Sequence, residues 1–188
     1  SLSSWVWGFS IGWTSLVSPT LQKPNNDLGI EPLSDSDLSW ILSLQQLSSA
    51  VMFPFGVFLC ERLGRKPTAV IAACVYLTSW LLKFFATSFD FLLVGQIVTG
   101  FGEALALIMM PLYVIEIASN SIRGRLGSLL MFSIKTGYLM ASISSALLSY
   151  RIITSLPIFM LAVHLLGMLF VPETPVYLVR KNRINAAR

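Results

Sequence analysis

Six apolar stretches, at residues 4–20, 36–60, 67–86, 91–117, 125–149 and 153–171, alternate along the chain with short polar segments. Each approaches or exceeds the roughly 20 residues that a helix needs to cross a bilayer, so the pattern predicts six membrane-spanning helices. The polar segments carry helix-end chemistry. Ser34 and Asp37 open the second stretch at capping-box spacing, where each side chain satisfies a free backbone N–H. Asp90 opens the fourth, where an acid complements the helix dipole. Pro19 closes the first stretch, and Pro157 stands near the start of the sixth, where a missing N–H matters least. The fold class this predicts is an all-α membrane protein.

Composition agrees. Hydrophobic residues make up 55% of the 188 and charged residues 12%, against about a quarter charged in ordinary soluble domains. Mean hydropathy is +0.74. The net charge of +4 comes from basic residues scattered between apolar runs, so nucleic acid is not an expected partner and the lipid bilayer is. Their distribution sets an orientation. Arg62, Arg65, Lys66, Arg123, Arg125, Arg180, Lys181, Arg183 and Arg188 fall on one side of the predicted membrane, against Lys23 and Arg151 on the other. That asymmetry places the first set, and both chain ends, in the cytoplasm. The chain opens inside an apolar run without an initiator Met and reads as a fragment. No nucleophile–base pairing is present, and the sole histidine, His164, has no second ligand beside it. No enzyme, metal or cofactor is expected.

Between the second and third stretches lies Glu61-Arg62-Leu63-Gly64-Arg65-Lys66. Topology alone explains its basic residues but neither its glycine nor its acid. The segment resembles the helix 2–3 loop motif D/E-R-x-G-R-R/K of the major facilitator superfamily. Three further motifs sit at fitting distances: Pro111-Leu-Tyr-Val-Ile-Glu116-Ile, Arg123-Gly124 and Pro172-Glu-Thr-Pro-Val-Tyr-Leu178. Together they resemble the sugar-porter branch. Gly12-Trp13-Thr14-Ser15 with Ser39-Trp40-Ile41 is similar to its insect facilitated trehalose transporters. The resemblance implies the N-terminal half of a twelve-helix transporter. Residues 1–171 would form two inverted three-helix repeats, 172–188 would begin the cytoplasmic linker, and a missing C-terminal half would complete the molecule. Gly8-Phe9 precedes Pro19 by the same interval as Gly100-Phe101 precedes Pro111, an echo that fits inverted repeats. The implied function is facilitative transport of a hexose or a disaccharide such as trehalose across the plasma membrane by alternating access. The alternative is a transporter-derived sugar sensor that does not transport.

The resemblance also assigns roles. Glu61, Arg62, Gly64, Arg65, Lys66, Glu116, Arg123 and Gly124 would form a cytoplasmic gating cluster, with both glycines permitting tight turns. Ser10, Thr14, Gln45, Gln46, Met131, Ile134 and Tyr138 are candidate sugar-lining groups, though small polar residues also serve helix packing. Departures bear on substrate. Met131 stands where the family has a sugar-binding Gln, Gln96 where it has an Arg, and Val176 where it has another Arg. Ser10 stands where proton-coupled relatives carry an Asp, which favours diffusion down a gradient. Outside the resemblance, Glu103 and Lys135 are charges deep in the fourth and fifth stretches, 17 and 15 residues from the turn near residue 120. At roughly 23–26 Å along antiparallel helices they share a depth, and are expected to pair or to face the sugar cavity together.

Overall fold

A computed structural model describes residues 2–16, 18–24, 26, 28–118 and 122–170. They form six helices: α1 Leu2–Leu16, α2 Asp35–Leu63, α3 Arg65–Phe84, α4 Phe89–Ile117, α5 Arg123–Leu147 and α6 Tyr150–Phe170. A 3-10 turn, Ser18–Gln22, follows α1, and no strand occurs among the described residues. The helices α2 to α6 are long and apolar enough to cross a membrane. The pattern carried the first helix to residue 20, but α1 stops at Leu16, because the residue before Pro19 is disfavoured in helix. α6 starts three residues earlier than the pattern suggested, which moves Pro157 into its third turn. The Pro172–Leu178 motif and the linker reading of 172–188 lie outside the described residues.

One residue joins α2 to α3. Gly64 has φ 105 and ψ 173, a conformation essentially restricted to glycine. Its carbonyl accepts from the Thr68 hydroxyl at 2.7 Å, which ties off the first turn of α3. Two membrane-length helices therefore reverse direction with no loop, and Arg65 becomes the first residue of α3. At the other end of α2 the predicted capping box is formed: Asp37 N–H donates to Ser34 Oγ at 3.2 Å, and Ser34 N–H donates to Asp37 Oδ2 at 2.9 Å.

α1 packs chiefly on α5 and α2 on α4, while α3 bridges α4 and α6. Exchanging α1 with α4, α2 with α5 and α3 with α6 maps the α1–α5 contact onto α2–α4 and α3–α6 onto itself, as two inverted three-helix repeats require, while α3–α4 maps onto the much slighter α1–α6 contact. α1 meets α2 and α4 only along a narrow seam. Glycines set the close approaches. A Cβ on Gly8 would collide with the Ile134 carbonyl of α5, and one on Gly100 with the Gln45 carbonyl and Ser48 hydroxyl of α2. The interior is aromatic: Trp13 lies edge-on to Trp80 and Tyr150, with ring centroids 5.8 and 6.0 Å apart. The outside of α2 and α5 is studded with large apolar side chains, among them Phe55, Phe58, Phe132 and Leu147. Surface of that kind belongs in lipid or against another protein.

Candidate functional site

The expected basic cluster gathers at one end of the bundle. Arg65 donates to Glu116 Oε1 from Nε at 3.0 Å and from Nη2 at 2.7 Å, and from Nη1 to the Cys60 carbonyl at 3.3 Å. Both partners of this ion pair are almost wholly buried. Arg123, the first residue of α5, donates from Nη2 to the Ile115 carbonyl at 3.2 Å. Two guanidinium groups thus sit at the negative end of the α4 dipole, where cations are favoured. Arg62 lies over the Phe58 ring, 4.7 Å from its centroid, Glu61 is exposed and Lys66 is half-buried. Gly64 is the tight turn expected of it. Gly124 is not: it is helical, in the first turn of α5, with open space where a Cβ would be.

A second polar group closes the seam between α1 and the α2–α4 pair. Glu103 of α4 accepts from Trp7 Nε1 at 2.9 Å and from Gln45 Nε2 at 3.0 Å. Accepting that bond, Glu103 holds the Gln45 amide with its nitrogen towards α4 and its oxygen towards α1. There Thr14 Oγ1 donates to Gln45 Oε1 at 3.0 Å, and Gln96 Nε2 reaches Thr14 Oγ1 at 3.5 Å. Gly100 makes this possible. By letting the α2 backbone in at Gln45, it brings Glu103, one turn on, within reach of that residue's amide.

The Glu103–Lys135 pair does not form. The carboxylate of Glu103 points to α1 and α2, whereas Lys135 is exposed on α5. Arg65–Glu116 is the ion pair among the described residues, and no carboxylate there reaches Lys135. Equal depth along two helices says nothing about azimuth, and α4 and α5 hardly touch. The other candidates divide by burial. Ser10, Thr14 and Gln45 are buried within the bundle, and Ile134 is buried in the Gly8 contact, so none of the four is free on an open face. Gln46, Met131, Lys135 and Tyr138 are exposed.

Sequence reasoning missed Lys83. It is fully buried, with its ammonium 4.6 Å from the ring centroids of both Trp13 and Trp80. Each such contact contributes roughly 2 kcal/mol when desolvated. The available signal was Trp80, three residues earlier on the same helix. A cavity of about 530 Å³ between α1, α3, α4, α5 and α6 is lined almost wholly by apolar groups such as Ala72, Met109, Leu130 and Leu161. His164 at its edge shares a 2.7 Å hydrogen bond with Ser3. Its lining offers too few polar partners for a sugar.

The sequence profile of the "Sugar (and other) transporter" family matches residues 2–188. Facilitated trehalose transporter Tret1 of Culex quinquefasciatus is 33% identical over 190 residues, covering 100% of this chain and 36% of the relative. Sugar transporter ERD6-like 6 of Arabidopsis thaliana is 32% identical, covering 92% and 34%. Facilitated glucose transporter member 8 of solute carrier family 2 from Bos taurus is 30% identical, covering 96% and 37%. The chain thus spans about a third of the length of these relatives. Among solved structures, the partially occluded inward-open xylose transporter XylE of E. coli superposes with TM-score 0.79 at 20% identity, covering 99% of this chain and 51% of that one. At that identity the likeness speaks to the fold.

Proposed function

Because the chain belongs to the sugar (and other) transporter family, we propose that it is the N-terminal half of a facilitative sugar transporter that works by alternating access. The observation that carries this reading is the family match along residues 2–188. The relatives named for facilitated glucose and trehalose transport support a hexose or a disaccharide such as trehalose as substrate. The partner is a second six-helix half, and two halves of this kind rock about a site at the bilayer midplane. The basic end faces the cytoplasm by the positive-inside rule, in the plasma membrane. There the Arg65–Glu116 pair, with Arg123 beside it, ties α3 and α5 to the end of α4 and keeps the N-terminal half rigid as it rocks. Sugar-facing groups of this half are drawn from Gln46, Met131, Lys135 and Tyr138, with the buried Thr14, Gln45 and Glu103 behind them.

Uniport fits the charge inventory. α1 carries no acid, and both oxygens of Glu103 are already hydrogen-bonded. The test is sugar uptake into vesicles holding the full-length transporter, with and without an imposed proton gradient. Equal initial rates, levelling at equilibrium, are expected. Accumulation driven by protons refutes uniport, and sugar binding without uptake favours the sensor reading.

A further inference from the structure

Lys135 stands at the middle of α5, the thirteenth of its 25 residues. Its Cα is therefore about 18 Å along the helix from either end, beyond the span a lysine stem covers by snorkelling. Its azimuth is fixed as well. Ile134 meets Gly8, Gly137 meets the Trp5 carbonyl and Ala141 meets Gly12, so this face of α5 is locked against α1. The rest of the helix surface divides in two. Leu129, Phe132, Leu139, Ile143 and Leu147 form an exposed apolar face. Ser128, Met131, Lys135, Tyr138 and Ser142 follow one another at steps of three and four, a separate stripe that is largely polar. An ammonium held at mid-membrane depth faces water, not acyl chains, so this stripe is the wall of an aqueous route.

Among the described residues, charge on that wall is one-sided. Glu103, the acid at similar depth, is 4% exposed and turned to Trp7 and Gln45. No carboxylate among the described residues lies within ion-pair distance of Lys135. Tyr138, about one turn on, adds a hydroxyl donor and an aromatic face.

We infer that the sugar carried is an anion, a carboxylated hexose derivative of the hexuronate class, with its carboxylate on Lys135 and its ring against Tyr138. This rests on the transport reading above and narrows its hexose arm. One ammonium matches the single charge of a carboxylate, whereas a phosphate monoester brings about −1.5 to −2 and leaves the excess uncompensated. A neutral hexose leaves the ammonium without a counter-charge among the described residues of this half.

The experiment uses the full-length transporter in proteoliposomes and compares counterflow of radiolabelled D-glucuronate and D-glucose. The wild type is expected to show a KM for glucuronate at least about tenfold below that for glucose, the size of one well-placed charged hydrogen bond. Lys135→Arg keeps that advantage and Lys135→Val loses it. Should the Val variant fail to fold, the wild type alone decides: glucuronate raises its melting temperature at about a tenth of the concentration that glucose needs. A wild type that shows no preference for glucuronate, or a glucuronate KM unchanged by Lys135→Val, overturns the inference and leaves the transport reading standing. Exchange of neither sugar overturns the inference, and if trehalose is not exchanged either the transport reading falls with it.

Discussion

Arg65 at the start of α3 and Glu116 at the end of α4 form a forked ion pair, with N–H···O distances of 2.7 to 3.1 Å and side chains 4% and 8% exposed. The two residues are 51 apart in sequence, and a one-residue turn at Gly64 brings Arg65 to its place. Burial makes the pair consequential: removing one partner strands the other's charge away from water.

Arg65→Ala is accordingly expected to cost about 3–5 kcal/mol, read as a fall in the melting temperature of the detergent-purified protein. Arg65→Lys keeps the charge but loses the planar fork, and should fall between the two. A melting temperature unchanged by Arg65→Ala would show that the pair contributes nothing to cohesion at this end.

The two motif glycines should behave oppositely. Gly64→Ala forces a side chain into a backbone region that only glycine tolerates, at about 1–3 kcal/mol. Gly124→Ala sits in an open helical turn and should be neutral or stabilise by about 0.5–1 kcal/mol. Thermal unfolding of the two variants side by side checks this, and equal losses would contradict the assigned geometry.

At the seam, Glu103→Ala leaves the Trp7 indole N–H and the Gln45 amide without their acceptor. Each orphaned donor costs about 1–3 kcal/mol. Glu103→Gln retains an acceptor oxygen and should cost less. A double-mutant cycle with Trp7→Phe should return a coupling above about 0.5 kcal/mol, and strictly additive losses would dissolve the proposed contact.

Much of this architecture was legible from residues. Membrane helices announce themselves because every apolar run must be long enough to satisfy its own backbone hydrogen bonds in lipid. The Ser34–Asp37 cap and the Gly64 turn are local, and their residues specify them. Pairing across helices is another matter. Spacing gave Glu103 and Lys135 the same depth, but rotation about the helix axis is decided by packing, here by Gly8 on Ile134 and Gly100 on Gln45. Lys83 was hidden for a related reason. A lysine near a helix end reads as an anchor that reaches outward, and only the assembled pocket of Trp13 and Trp80 shows it turned in.

The measurement closest to the central claim is counterflow through the complete transporter. Liposomes are preloaded with unlabelled D-glucose, D-glucuronate or trehalose, and a trace of the same labelled sugar is added outside, with no proton gradient. A facilitative transporter predicts that label overshoots its equilibrium level inside and then decays for at least one of the three, because exchange on a shared alternating site outpaces net loss. Label that binds without any overshoot for all three sugars would contradict the account.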